Sequence, residues 1–174
     1  TPSQLAKEDF EAIFSHIYKV YKVTPNAEIT LEANPDDLTS EYISMLRTFP
    51  FNRISMGIQT FQETTLKQLQ RRHTADQAIR AFQGCRTAGF QNISIDLMYG
   101  LPGETLTSWK KDLKQALSLH PEHISAYHLI YEEGTPLWKL REQHKVEEAD
   151  EDLSVSLFGT LIDELTTAGY EHYE

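Results

Sequence analysis

The chain has a single cysteine, Cys85, so neither an internal disulfide nor a thiolate cluster can be assembled from its own residues. Cys85 falls in the helical pattern AIRAFQGCRTAGF, where a small buried side chain is the simpler assignment than a reactive thiol. Basic residues are also scarce. Sixteen Lys and Arg stand against 26 Asp and Glu, and the formal net charge of −10 argues against nucleic acid or an anionic membrane as the main partner, since both require a basic footprint. The acidic residues are spread along helix faces rather than gathered in a tail, the ordinary pattern of a solvated surface. No apolar run approaches the roughly 18 residues of a membrane span, and no signal-peptide or lipidation pattern is present. The expectation is a cytoplasmic protein without a transmembrane segment.

What is present is enough for a core. The chain has 174 residues, 40% of them apolar, which suits a single domain over 1–174. Leu5, Phe10, Ile13, Phe14, Ile17 and Tyr18 recur at helical spacing and predict a core-facing helix over 3–21. Four segments alternate with period two: AEITLEAN at 27–34, RISMGIQT at 53–60, NISIDLMYG from 92, and HISAYHLI at 123–130. Between them lie helical patterns. Thr39 is a candidate N-cap, QETTLKQLQRR a short helix, and Thr74 with Gln77 a capping box for a helix stopped by Gly89. A helix from about 105 to 119 presents Trp109, Leu113, Ala116 and Leu117; a short helix opened by Thr135 and Pro136 and a long one over 149–168 follow.

Repeated alternation of helix and strand predicts right-handed crossovers and a parallel sheet. Each strand carries aliphatic residues on one face and small or polar ones on the other. A doubly wound sheet would make both faces apolar, so the pattern points to a barrel, or part of one, with helices only outside. Four strands cannot close a barrel.

The inner face then comprises Thr30, Glu32 and Asn34; Ser55, Gly57 and Gln59; Ser94, Asp96 and Met98; Ser125, Tyr127 and Leu129. Glu32 and Asp96 near the strand ends suit an acid/base pair for hydrolysis. They equally suit acceptors for ligand hydroxyls and an ammonium, with Gln59 and an arginine serving a carboxylate, or bonding to each other and the nearby backbone. Arg71, Arg72 and His73 form a basic spot in an acidic chain, either an anion clamp or solvated charge. His123 and His128, five residues apart on one strand, face opposite ways and are no metal pair. LPGET lacks the glycine spacing and lysine of a P-loop.

Taken together, EANPDDLT, RISMGIQTF, RRHT and IDLMYGLPGET resemble the radical S-adenosylmethionine family of oxygen-independent coproporphyrinogen III oxidase and its relative, the haem chaperone. The resemblance covers essentially the whole chain and implies a six-stranded partial TIM-like barrel of which these are strands three to six. It further implies S-adenosyl-L-methionine and a [4Fe–4S] cluster as cofactors of the full-length protein. The cluster would be held by a C-x-x-x-C-x-x-C loop after a first strand that this chain does not contain. Thr1 matches the last residue of a motif that follows a Gly-Gly-Gly run. Glu32 matches the residue holding the methionine end of S-adenosylmethionine and Arg71 the one facing its carboxylate. Gln59 and Asp96 match polar residues around the ribose, and Met98 an apolar contact near the adenine.

The abrupt Thr-Pro-Ser start and the strand-like YEHYE end read as cut ends, so the expectation is a central piece that binds no cluster, binds S-adenosylmethionine weakly or not at all, and is inactive alone. LIYEEGTPLWKLREQHKV is closer to the haem-chaperone-like branch than to the oxidase, and porphyrin or haem is the implied ligand of the full protein. Two other readings stand beside this one: an iron-independent hydrolase or lyase using Glu32 and Asp96, and a non-catalytic haem-binding module using His128 or His73. An unpaired strand at 27–34 would also invite self-association.

Overall fold

A computed structural model describes residues 1–173. After a 3₁₀ turn at Pro2–Gln4 the elements are α1 (Lys7–Val20), β1 (Thr30–Ala33), a second 3₁₀ turn at Pro35–Asp37, α2 (Ser40–Leu46), β2 (Arg53–Gln59), α3 (Glu63–Gln68) and α4 (Ala75–Thr87). Then come β3 (Asn92–Tyr99), α5 (Leu106–Ser118), β4 (His123–His128), α6 (Pro136–Glu142) and α7 (Glu151–Thr167). The four strands form one parallel sheet in the order β1-β2-β3-β4. That is the arrangement the alternation predicts.

The sheet has two unlike faces. Ile54, Met56, Ile58, Ile93, Ile95 and Leu97 are fully buried in one core with Phe82 and Cys85 of α4, Trp109 and Leu113 of α5, and Leu157 of α7. Trp109 places its indole N–H 3.0 Å from the Leu157 carbonyl, tying α5 to α7. On the opposite face Ser55, Gly57, Asp96 and Met98 are only half-buried, and Tyr127 is 55% exposed. The helices that form this core lie on one face, so Ser55 and Asp96 on the other keep partial exposure, whereas Ser94 on that face is fully buried against His123.

Helix boundaries follow from local chemistry. The Thr74 hydroxyl accepts from the Gln77 N–H at 3.1 Å while Gln77 Oε1 accepts from the Thr74 N–H at 2.8 Å, a reciprocal cap. Gly89, at φ +96°, takes the left-handed position that ends α4. Thr39, Thr105, Thr135 and Asp150 cap α2, α5, α6 and α7.

Two expectations need correction. The first helix is shorter than 3–21 and buries less: of its stripe only Phe10 is buried, while Ile13 and Tyr18 are 43% and 49% exposed. α1 meets the domain chiefly through a rim of aromatic rings, with Phe10 and Phe14 each 5.2 Å from Phe51, so side chains turned away from that rim stay in solvent. The first strand spans Thr30–Ala33 rather than 27–34, because Pro35 opens a 3₁₀ turn and the Asn34 N–H donates to Ser3 Oγ at 3.2 Å instead of to a ladder.

Candidate functional site

The polar residues of the uncovered face converge at the C-terminal ends of β1, β2 and β3. Asn34 is the joint. Its side-chain N–H donates to Thr1 Oγ1 at 3.3 Å and its Oδ1 accepts from Arg71 Nη2 at 2.9 Å. The same Nη2 donates to the Gly57 carbonyl at 2.9 Å. A guanidinium carries five N–H donors, so an arginine anchored through one nitrogen keeps others for an incoming carboxylate. Burial pulls the Arg71 pKa down while the nearby Asp36 carboxylate pulls it up; an arginine stays charged through either effect.

Gln59 sits at a break in β2. The register against β3 shifts between Gly57 and Gln59, and Gln59 adopts φ +73°, a left-handed value rarely taken by a residue with a Cβ. Its side chain thereby folds back over Gly57: a Cβ built on Gly57 would stand 3.0 Å from Gln59 Nε2 and 3.5 Å from Arg71 Nη2. The absent side chain of Gly57 is what lets Gln59 and Arg71 share this space.

Asp96 lies opposite Gly57 in the β2–β3 register and accepts a hydrogen bond from Ser55 Oγ at 3.3 Å. Burial raises its carboxyl pKa, the Ser55 hydrogen bond opposes the rise, Glu32 adds to it and Arg53 opposes it. Glu32 is exposed at the end of β1 and close enough for its charge to be felt at Asp96. Met98, half-buried and two positions beyond Asp96, packs against the small cluster of Leu101, Leu129 and Tyr131.

All six residues singled out from the sequence, Thr1, Glu32, Gln59, Arg71, Asp96 and Met98, therefore lie on or beside one end of one sheet face. Other residues support the site: Asn34, which alternation marks only as an inner-face position, and Asp112, which lies outside the strand pattern. Asp112 is 1% exposed on α5 and accepts from the Thr60 hydroxyl, from the Phe61 N–H at 3.2 Å and from Gln62 Nε2 at 2.8 Å, pinning the loop that leaves the Gln59 break. A carboxylate on the apolar stripe of Trp109, Leu113 and Ala116 was the available signal. Glu104 closes the turn after β3, accepting from the N–H groups of Gly100 at 2.6 Å and Leu101 at 3.3 Å.

Other candidates fall away on geometry. Arg72 pairs with Asp36 at 2.7 Å and Asp37 at 2.9 Å, the solvated-charge option. His73 is 3% exposed, and His128 bonds Ser154 Oγ at 3.0 Å behind the sheet with its ring against Tyr99, so neither presents a nitrogen for haem iron. His123 faces the other way, onto Ser94 Oγ at 2.8 Å, as the five-residue separation requires. Cys85 is fully buried in α4 and burial pushes its thiol up to about 12, so this chain's own thiol does not fit a [4Fe–4S] cluster. Among the described residues no group of three or more His, Cys, Asp or Glu is arranged to hold a metal ion, and no helix is long and apolar enough to cross a membrane. A cavity of about 630 Å³ lies apart from the site, along the free edge of β4, lined by Tyr127, Phe158, Leu161 and Tyr170 among others.

Comparison with known proteins matches residues 3–116 to the family described as the radical SAM superfamily. The chain is 36% identical over 174 residues to a protein named heme chaperone HemW from Lactococcus lactis, covering all of this chain and 46% of that protein. It is 32% identical over 171 residues to an oxygen-independent coproporphyrinogen III oxidase from Synechocystis, covering 98% of this chain and 36% of that protein. Among solved structures, coproporphyrinogen III oxidase HemN from Escherichia coli superposes with a TM-score of 0.84 at 26% identity, over 98% of this chain and 39% of that one. The chain thus spans about half the length, or less, of the relatives it matches. The likeness extends to the fold, the partial TIM-like barrel implied by the resemblance to the radical S-adenosylmethionine family.

Proposed function

Because the chain belongs to the radical SAM superfamily, we propose that the ends of β1, β2 and β3 form a cradle for S-adenosyl-L-methionine. The supporting observation is the hydrogen-bonded run Thr1–Asn34–Arg71–Gly57 carbonyl, with Gln59 folded over Gly57 and Asp96 on the next strand. The donors and acceptors suit the ligand. Arg71 faces its carboxylate, Glu32 its ammonium, Gln59 and Asp96 its ribose hydroxyls, and Met98 offers an apolar edge to the adenine. In this family S-adenosylmethionine, when bound beside a reduced iron–sulfur cluster that donates the electron, would supply the radical chemistry; the residues of this chain would bind and orient it.

The names of the matched proteins carry a further step. The whole protein is a haem-chaperone-like member of the family, with haem or a porphyrin as its ligand in the cytoplasm. Seven matches named heme chaperone, at 29–37% identity across the full chain, support this branch over the oxidase.

Equilibrium dialysis of the chain against S-adenosylmethionine at millimolar concentration tests the cradle. Weak binding is expected, lowered about tenfold by Asp96→Asn and by Glu32→Gln, the loss of one charge-assisted hydrogen bond each. Binding indifferent to both substitutions would overturn the assignment.

A further inference from the structure

We propose that His73 is a positioning residue for the adenosyl ligand, acting through the backbone of Gln59; this rests on the cradle proposed above. His73 Nε2 lies 3.1 Å from the carbonyl oxygen of Ile58. A carbonyl only accepts, so Nε2 carries the proton and His73 donates. The Ile58 carbonyl belongs to the peptide that leads into Gln59, whose φ of +73° costs free energy and persists only where surrounding contacts hold it. His73 supplies such a contact from a buried position, 3% exposed, two residues after Arg71, which grips the preceding carbonyl of Gly57 at 2.9 Å. One short turn, Arg71 to His73, thus holds two successive landmarks of β2, and the turned peptide between them aims the Gln59 amide over Gly57 into the cradle.

The other face of the ring supports a dedicated role. Nδ1 is buried without a hydrogen-bond partner among the described residues, and Asp36 Oδ1 stands 3.8 Å away. A buried unpaired nitrogen is unfavourable, and a leucine or phenylalanine would fill the same space without that cost. The feature that a histidine adds over an apolar side chain is the Nε2–H donated to Ile58. Burial, the largest influence, lowers the His73 pKa and keeps the ring neutral, so the donor is present without a charge.

The test uses four variants and two readouts: the dissociation constant for S-adenosylmethionine, and the amide NMR signals of Gln59 and Thr60 in the absence of ligand. His73→Phe keeps the buried volume and loses the donor; it is expected to move both amide signals and weaken binding about tenfold. His73→Gln, which carries an N–H at the Nε2 position, is expected to restore binding to within about threefold of the parent. His73→Asn, whose N–H sits at the Nδ1 position, is expected to resemble Phe, and the Gln and Asn pair decides the matter if Phe does not fold. Gln59→Ala separates the two levels of the proposal. If it weakens binding and the His73 variants do not, the positioning role is overturned while the cradle stands; if it leaves binding unchanged, the ribose role of Gln59 fails and the role of His73 fails with it.

Discussion

The Ser55 hydroxyl donates to the Asp96 carboxylate across 3.3 Å, from one strand to the next on the uncovered face of the sheet. This bond opposes a rise in the Asp96 pKa that burial causes and Glu32 reinforces. Ser55→Ala is therefore expected to move the Asp96 titration to higher pH, and Glu32→Gln to lower pH. Carbon-13 NMR of the Asp96 carboxyl reads both. The ionised form is the stronger acceptor for a ribose hydroxyl, so ligand binding should weaken on acidification, and at higher pH in Ser55→Ala than in the parent. Identical titration midpoints in parent and Ser55→Ala would remove Ser55 from the site.

Asp112 holds the Thr60–Gln62 loop through three hydrogen bonds while itself 1% exposed. Asp112→Ala leaves the buried Thr60 hydroxyl and two part-buried donors without their acceptor and is expected to cost about 3 kcal/mol in urea unfolding. Asp112→Asn, which retains an acceptor oxygen, should cost clearly less. Equal losses in the two variants would mean that cavity formation, not the lost acceptor, sets the effect.

Glu104 gives the domain a stability that depends on pH near neutrality. Burial, the leading cause, raises its pKa from the ordinary 4.5 to about 7, against the pull of the Leu101 and Gly100 N–H groups. The folded chain thus holds a proton on Glu104 that the unfolded chain has released, and the contribution of this group to stability is full below about 4.5, falls as pH rises, and is lost above about 7. Glu104→Gln stays neutral throughout. Its melting temperature relative to the parent should climb between pH 5 and pH 8, by about 3 °C or more. A difference that does not change with pH would contradict the assignment.

Among the described residues the sheet ends at β1 on one side and at β4 on the other. At β1 the edge is short, since Asn34 is taken by Ser3 and only Thr30–Ala33 remain as strand. Self-association through the 27–34 segment is still the expectation, in a weak form. Sedimentation velocity over a hundredfold concentration range should show a rising weight-average coefficient; a strictly monomeric species at the highest concentration would exclude it.

Much of this architecture was legible from period-two alternation, and for a physical reason: the helices that form the core lie on one face, so inward and outward positions differ in polarity. That contrast identified the faces of Glu32, Ser55 and Asp96. Reciprocal side-chain caps such as Thr74 with Gln77 were legible because their chemistry is local. The break at Gln59 was not, because alternation says nothing about the sign of φ. Alternation placed Asn34 on the inner face, but its bridging role was not legible because it depends on Thr1 and Arg71, 33 and 37 residues away in the chain. α1 was over-read: helical spacing identifies an apolar stripe but not how much neighbouring surface exists to cover it.

The most direct measurement is a proton–nitrogen NMR titration of the chain with S-adenosylmethionine. The cradle requires the largest shift changes at Gln59, Asp96, Met98 and the Arg71 side chain, and their loss in Asp96→Asn. Shifts concentrated instead along β4 and α7, beside the cavity that holds Phe158 and Tyr170, or no shifts at millimolar ligand, would contradict it.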